Sequence, residues 1–281
     1  MTLVLNILKS IIYGIVQGIT EWLPISSTGH LILMNSFMPL NLFTDAASNI
    51  EFWDMYKVVI QFGSILAVVL LYWNRLNPFN PKLKPAKKHD ILRLWVMIII
   101  ACIPAGIAGV ILDDWIDNVM SSSLVIACTL IIYGILFIWM ENRQRVYTIE
   151  NVNQIDAKHA LFAGFFQALA LIPGTSRSGA TIFGSTMMGF NRSTAAEFSF
   201  YMSIPVMFGA SLLKIIKAQF TVTASSVIVL LVGMIVSFLV SVLAIRSLMQ
   251  YIRKHDFKIF GVYRIILGVI VLIFYLTGAV A

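Results

Sequence analysis

Residues 160–181 read ALFAGFFQALALIPGTSRSGAT. At about 1.5 Å per residue the apolar run 160–172 covers roughly 20 Å, short of the roughly 30 Å hydrocarbon core of a bilayer. It stops at Pro173-Gly174, a pair that ends a helix, and gives way to Thr175, Ser176, Arg177, Ser178 and Thr181. Residues 14–30, GIVQGITEWLPISSTGH, follow the same grammar: an apolar run that stops at Pro24 and turns into Ser26, Ser27, Thr28 and His30. Both stretches are expected to be short helix pairs broken by proline at membrane depth.

The rest of the chain supplies the membrane. Of 281 residues 59% are hydrophobic and 12% are charged, the latter about half the soluble average. A soluble domain of this size has too little interior to hide that much apolar surface. Long apolar runs fall near 4–23, 53–73, 93–112, 122–140, 197–217, 225–248 and 260–279. The N-terminal run carries Gln17 and Glu21 and lacks a basic segment followed by a small-residue cleavage site, so it is read as mature protein. The formal charge of +7 sits in loops beside apolar runs, which fits lipid head groups and topology and gives no reason to invoke nucleic acid. Cys102 and Cys128 lie inside apolar runs with no Cys/His cluster, and are expected as buried free thiols. The Trp and Phe residues mostly fit lipid-facing or interfacial roles.

The two halves match in order. Gly14, Gln17, Pro24 and Ser26-Ser27 correspond to Gly164, Gln167, Pro173 and Thr175-Ser176; Glu51-Phe52 to Glu197-Phe198; Phe62-Gly63 to Phe208-Gly209. This series points to one membrane domain, 1–281, built from repeat 1 (about 1–145) and repeat 2 (about 155–281). Each repeat holds a broken pair and three full spans, an odd number, so the second enters the bilayer inverted and the breaks meet near the midplane. The fold class expected is an all-α polytopic membrane protein with about six full transmembrane helices plus two re-entrant helix hairpins. Basic residues in 74–92, in 141–159 (Arg143, Arg145 and Lys158) and in 246–258 mark cytoplasmic loops. The segments 39–52, 113–121 and 218–224 hold no Lys or Arg and read as external, with Asp113, Asp114 and Asp117 in a solvated turn.

Ionisable residues at membrane depth cost about 2.5–3.5 kcal/mol each on insertion scales, and three stand out: Glu21, His30 and Arg177. Gln17 and Glu21 share a helix face, and two oxygen-bearing side chains there suit a hard divalent cation. Ser26, Ser27 or Thr28 caps the next helix. Ser27 and His30, three apart, either pair a nucleophile with a base or form a capped helix start with a hydrogen-bonded histidine. Arg177 in a first helical turn sits at the wrong end of the dipole unless an anion joins it. The alternatives are pairing with Glu21 alone and a bound anion, and the hydroxyls around Arg177 favour the anion. Helix N–H groups, hydroxyls and a guanidinium fork together form a phosphate cradle. Carboxylate, nucleophile with base, and cation for phosphate compose a phosphoryl-transfer set.

Gln17-x-x-x-Glu21, the stretch Pro24 to His30, Pro173-Gly-Thr-Ser-Arg-Ser-Gly-Ala-Thr181 and the later stretch Arg192 to Gly209 resemble the undecaprenyl-diphosphate phosphatase family of the bacitracin-resistance type. The resemblance implies hydrolysis of undecaprenyl diphosphate to the monophosphate on the outer face of a bacterial plasma membrane. It also implies recycling of the cell-wall lipid carrier, bacitracin resistance, a divalent cation (Mg2+ or Ca2+) and commonly a homodimer. By motif position it implies Glu21, Ser27, His30 and Arg177 as catalytic. It further implies Ser26, Thr28, Thr175, Ser176, Ser178 and Thr181 as substrate-binding, and Glu21 with Gln17 as metal-facing. Gln17, a neutral and weaker metal ligand, stands where many members carry Glu. Ser27 with His30 as base, or His30 itself, remains open as nucleophile. The rival reading is a polyprenyl-phosphate flippase or transporter, which needs an anion site but no nucleophile.

Overall fold

In the computed structural model the chain is described over residues 2–120, 122–143, 146–218 and 220–278, the side chains of Thr2, Asp113, Asp114, Asp117 and Asn118 excepted. The helices are α1 (Thr2–Thr20), α2 (Ser27–Phe37), α3 (Ala46–Leu71), α4 (Trp73–Leu76), α5 (Pro85–Met120), α6 (Ser123–Glu141), α7 (Ala157–Leu169), α8 (Arg177–Met187), α9 (Arg192–Lys217), α10 (Ala224–Ile252) and α11 (Lys258–Leu276). Seven of them, α1, α3, α5, α6, α9, α10 and α11, are long and apolar enough to cross a membrane. The protein is an all-α polytopic membrane protein. The six full spans expected are all present; α1 is a seventh candidate, whereas α7, with 13 residues, is too short to be one. The acidic stretch expected as a turn is instead helical backbone at the end of α5, which runs on to Met120. The side chains of Asp113, Asp114 and Asp117, like Arg145, lie outside the described residues.

A helix, a break, a short helix and then long helices occur in that order twice, with α1 longer than its counterpart α7. Packing follows the same rhythm. α1 lies against α10 as α7 lies against α5, while α3 meets α9 and α6 meets α11. A Cβ on Gly14 would press on the Gly233 carbonyl and Val236, and one on Gly164 would press on the Ala101 carbonyl and Pro104, so the two crossings use matching positions. Phe62 and Phe208, matched in sequence, touch one another with ring centroids 5.9 Å apart. The register at the breaks differs by one residue from the sequence reading. Ser26 and Ser176 are the equivalent helix caps, each bonded to the amide three residues on, so Ser26 matches Ser176 and not Thr175. The cap, which must meet the first free amides of the helix, fixes the alignment more firmly than the proline does.

Small residues let helices close where lipid offers no driving force for apolar contact. At the α6–α11 crossing a Cβ on Gly134 would lie 2.7 Å from the Gly261 carbonyl oxygen, and one on Gly261 would lie 2.8 Å from the Gly134 carbonyl oxygen. This reciprocal contact brings α11 onto α6 with Arg264, fully buried, on its inner face. Aromatic residues are used inside as well as on the lipid face: Trp22, Phe52, Phe137, Phe198 and Phe200 are fully buried, contrary to their expected interfacial role. Both cysteines are free thiols; Cys102 is half-buried, and Cys128 is exposed on the helical surface, where a thiol is apolar enough for lipid. Gly134→Ala is expected to destabilise the protein by about 1–3 kcal/mol through overpacking, read as a lower midpoint in detergent melting, with the specific activity of the folded fraction kept.

Candidate active site

The two breaks, residues 21–26 and 170–176, converge, and each satisfies polar groups of the other. A helix that stops inside a bilayer leaves carbonyls that lipid cannot solvate. Ser178 Oγ, in the first turn of α8, donates to the carbonyl oxygens of Glu21 (3.0 Å) and Leu23 (3.2 Å) in the first break. Thr129 Oγ1 of α6 donates to the Pro173 carbonyl at 2.8 Å. Arg264 reaches both breaks: Nη1 donates to the Pro24 carbonyl at 3.1 Å, and Nη2 to the carbonyls of Gly174 and Thr175, each at 2.9 Å.

Glu21 sits at the centre, 3% exposed. Its Oε1 accepts from Arg177 Nη2 at 2.9 Å. Its Oε2 accepts from Gln17 Nε2 at 2.9 Å and from the Ser27 hydroxyl at 2.7 Å. The helical spacing that puts Gln17 and Glu21 on one face does bring them together, and the break swings Ser27 onto the same oxygen. Arg177 also donates from Nη1 to the Ser199 carbonyl (2.7 Å) and hydroxyl (3.2 Å), and Ser199 Oγ lies 2.7 Å from Thr181 Oγ1. The Trp22 ring lies under the guanidinium, with the centroid 5.7 Å away, a contact of the cation–π kind. Buried atoms of this cluster without a protein partner are the donors Arg177 Nε and Trp22 Nε1 and the acceptor Gln17 Oε1. The donors are suited to an anion and the acceptor to a cation.

The histidine is held differently from the pairing considered for it. His30 Nδ1 is 2.7 Å from the Ser26 carbonyl oxygen, which can only accept, so Nδ1 carries the proton. Nε2 is then the acceptor for the Tyr263 hydroxyl at 2.7 Å. Ser27 donates a hydrogen bond to Glu21 and His30 faces Tyr263, so the two are neighbours on α2 that are bonded to different partners. Of the remaining expected residues, Ser176 Oγ lies 3.2 Å from Ser178 Oγ, Thr175 contributes its carbonyl, and Thr28 is half-exposed on α2.

Both caps are strained. Ser26 has φ 74° and Ser176 φ 70°, the only positive values at non-glycine positions among the described residues. Such conformations cost about 1–3 kcal/mol each and persist where the surroundings over-determine them, often at functional sites. Their effect is to aim the first turns of α2 and α8, with their free amides, at the junction. Beside it runs an apolar groove of 410 Å3 whose lining includes Ile25, His30 and Tyr263; it shares Ile19, Leu23, Ile259 and Phe260 with an adjoining groove of 510 Å3 between α1, α10 and α11.

The sequence reading named Glu21, His30 and Arg177 as the deep ionisable groups and missed Arg264, which is more deeply buried than any of them. Ser199 and Tyr263 were missed too. A lone arginine inside the run 260–279 was the available signal for Arg264; Ser199 lies in the matching stretch Arg192 to Gly209 but has no mark of its own there, and Tyr263 carries none.

The fold and this junction define a polytopic membrane protein with a buried carboxylate, hydroxyl and guanidinium at the meeting of two broken helices. Residues 10–270 match the family described as bacitracin resistance protein BacA. The chain belongs to that family. It is 52% identical to the undecaprenyl-diphosphatase of Acetivibrio thermocellus over 97% of this chain and 99% of that one. It is 49% identical to undecaprenyl-diphosphatase 1 of Clostridioides difficile, over 96% and 97% of the two chains. With the undecaprenyl-diphosphatase of Enterococcus faecalis the identity is 49%, again over 96% and 97%.

Glu21→Gln leaves Arg177 buried without its counter-charge, and is expected to cost about 3–5 kcal/mol of stability. The check is the melting midpoint of the purified variant in detergent, which should fall well below that of Gln17→Ala.

Proposed function

We propose that this protein hydrolyses undecaprenyl diphosphate to undecaprenyl phosphate and orthophosphate, a reading supported by the name undecaprenyl-diphosphatase that its relatives carry. The observation that carries the reading is the Ser27 hydroxyl on the Glu21 carboxylate, with the Arg177 guanidinium on the other oxygen of that carboxylate. A transporter needs the cation and not the activated hydroxyl, which argues for catalysis over the flippase reading.

The diphosphate takes the place of part of Arg177's present bonding and uses the unpartnered Nε together with the amides of α8. Ser27 Oγ attacks the terminal phosphorus and its proton passes to Glu21. The bridging P–O bond breaks, and undecaprenyl phosphate leaves. With the Tyr263 hydroxyl turned aside, His30 Nε2 then takes a proton from the water that attacks the phosphoserine; the P–Oγ bond breaks and Glu21 returns its proton to Ser27. The prenyl chain follows the apolar groove past Ile19, Leu23 and Phe260, away from His30.

Among the described residues no group of three His, Cys, Asp or Glu side chains gathers as a metal cage. Glu21 and the unpartnered Gln17 Oε1 still fit a Mg2+ or Ca2+ ion that draws its other ligands from diphosphate oxygens and water. Such an ion would offset the charge of the diphosphate. The matched crossings of α1 with α10 and α7 with α5 support an inverted repeat, and the basic segments 74–92 and 246–258, read as cytoplasmic, support an active site that opens to the outer face. In that position the enzyme recycles the cell-wall lipid carrier, and raised amounts of it confer bacitracin resistance.

Arg177→Ala is expected to lower phosphate release from undecaprenyl diphosphate by about 10²–10³-fold, and His30→Ala by about 10²–10⁴-fold, both with normal membrane insertion. His30→Ala should also accumulate acid-stable phosphate on Ser27; acid-labile label on the wild type would assign the nucleophile to a histidine. A chelator is expected to abolish turnover, and Gln17→Glu to lower the concentration of Mg2+ or Ca2+ needed to restore it, since a second carboxylate strengthens the site. Turnover indifferent to the chelator would remove the ion from the account.

A further inference from the structure

Arg264 is fully buried on α11 and is bonded to no carboxylate among the described residues. An arginine at that depth is costly unless its donors are met. Four of its five N–H groups have acceptors, all of them backbone carbonyls: Leu130 from Nε at 3.5 Å, Pro24 from Nη1, and Gly174 and Thr175 from Nη2. The Tyr133 ring covers its face, with the centroid 5.4 Å from Cζ. Pro24 belongs to the first break, and Gly174 and Thr175 to the second. Their carbonyls lie beyond the C-terminal ends of α1 and α7, where helix dipoles favour a cation. One guanidinium therefore serves both breaks, and because its fork is rigid the spacing of the breaks is tied to its own width.

We propose that Arg264 is a positioning residue that locks the two breaks in register, and so sets the separation between the Glu21–Ser27 pair and Arg177. The consequence for turnover rests on the phosphatase reading; the mechanical claim does not. Two further contacts point the same way. A Cβ on Gly179, in the first turn of α8, would lie 2.9 Å from Arg264 Nη1, so the guanidinium or the helix would have to shift. The adjacent Tyr263 holds His30 Nε2, so one turn of α11 supports both breaks and the histidine.

The test combines hydrogen–deuterium exchange with kinetics on detergent-purified full-length protein. Arg264→Met should raise amide exchange in two peptides far apart in sequence, 21–26 and 170–176, while α3 and α10 exchange as in the wild type. It should lower kcat by about 100-fold, the cost of a misplacement on the order of 1 Å, with KM little changed. Arg264→Lys, which keeps the charge but donates from one point, should lose less. Gly179→Ala keeps the arginine but crowds it, and should reproduce the kcat loss in milder form; it also serves if the methionine variant does not fold. Unchanged exchange in either break, an increase spread evenly over all helices, or full kcat in both Arg264→Lys and Gly179→Ala would overturn the proposal. Wild-type protein that releases no phosphate would sink the functional reading alone, and the exchange data would still decide the role of Arg264.

Discussion

A helix interrupted inside a bilayer must find partners for its freed carbonyls and amides within the protein, because hydrocarbon supplies none. Everything distinctive here follows from that constraint. The first break is met by Ser178 of α8 and by Arg264; the second by Thr129 of α6 and by the same arginine. Neither break is stable without the other half of the chain. Their mutual satisfaction brings Glu21 from one half to Arg177 from the other at 2.9 Å. The strain at Ser26 and Ser176 is held by this mutual fit, and it turns the two helix starts towards one point.

A site made this way suits chemistry on a lipid head group. The dry surroundings strengthen every interaction between charge and dipole, and fixed donors need no rearrangement as negative charge develops. Glu21 binds Ser27, Gln17 and Arg177 together, so one carboxylate keeps the hydroxyl, the amide and the guanidinium in mutual register. The groove beside His30 offers an apolar path away from the junction. A diphosphate with a long prenyl chain joins these two environments in a single molecule.

Much of this was legible in the sequence because proline, glycine and hydroxyl clusters interrupt apolar runs conspicuously, and because charge at membrane depth is rare. The two breaks, the six long spans and the Glu21–Arg177 centre all carry such marks. The one-residue slip between Ser26 and Ser176 arose because the prolines are more visible than the caps that set the register. Arg264 was hidden by its setting: within an otherwise apolar, helix-periodic run, one cation reads as incidental until three carbonyls from distant segments surround it. Ser199 acts largely through its backbone carbonyl, which no side-chain pattern reports. Trp22 looks interfacial by composition, yet it lies beneath Arg177, because only the folded chain shows which face of the break turns inward. The helical backbone over 113–120 defeated the turn expected there, since an acidic stretch marks the membrane boundary and does not by itself end a helix.

The most direct measurement is hydrolysis of undecaprenyl diphosphate by the purified protein in water enriched in oxygen-18, with mass analysis of both products. Attack at the terminal phosphorus, by way of the serine, places one heavy oxygen in the released orthophosphate and none in undecaprenyl phosphate. Label in the lipid product, or no orthophosphate at all, would contradict the account.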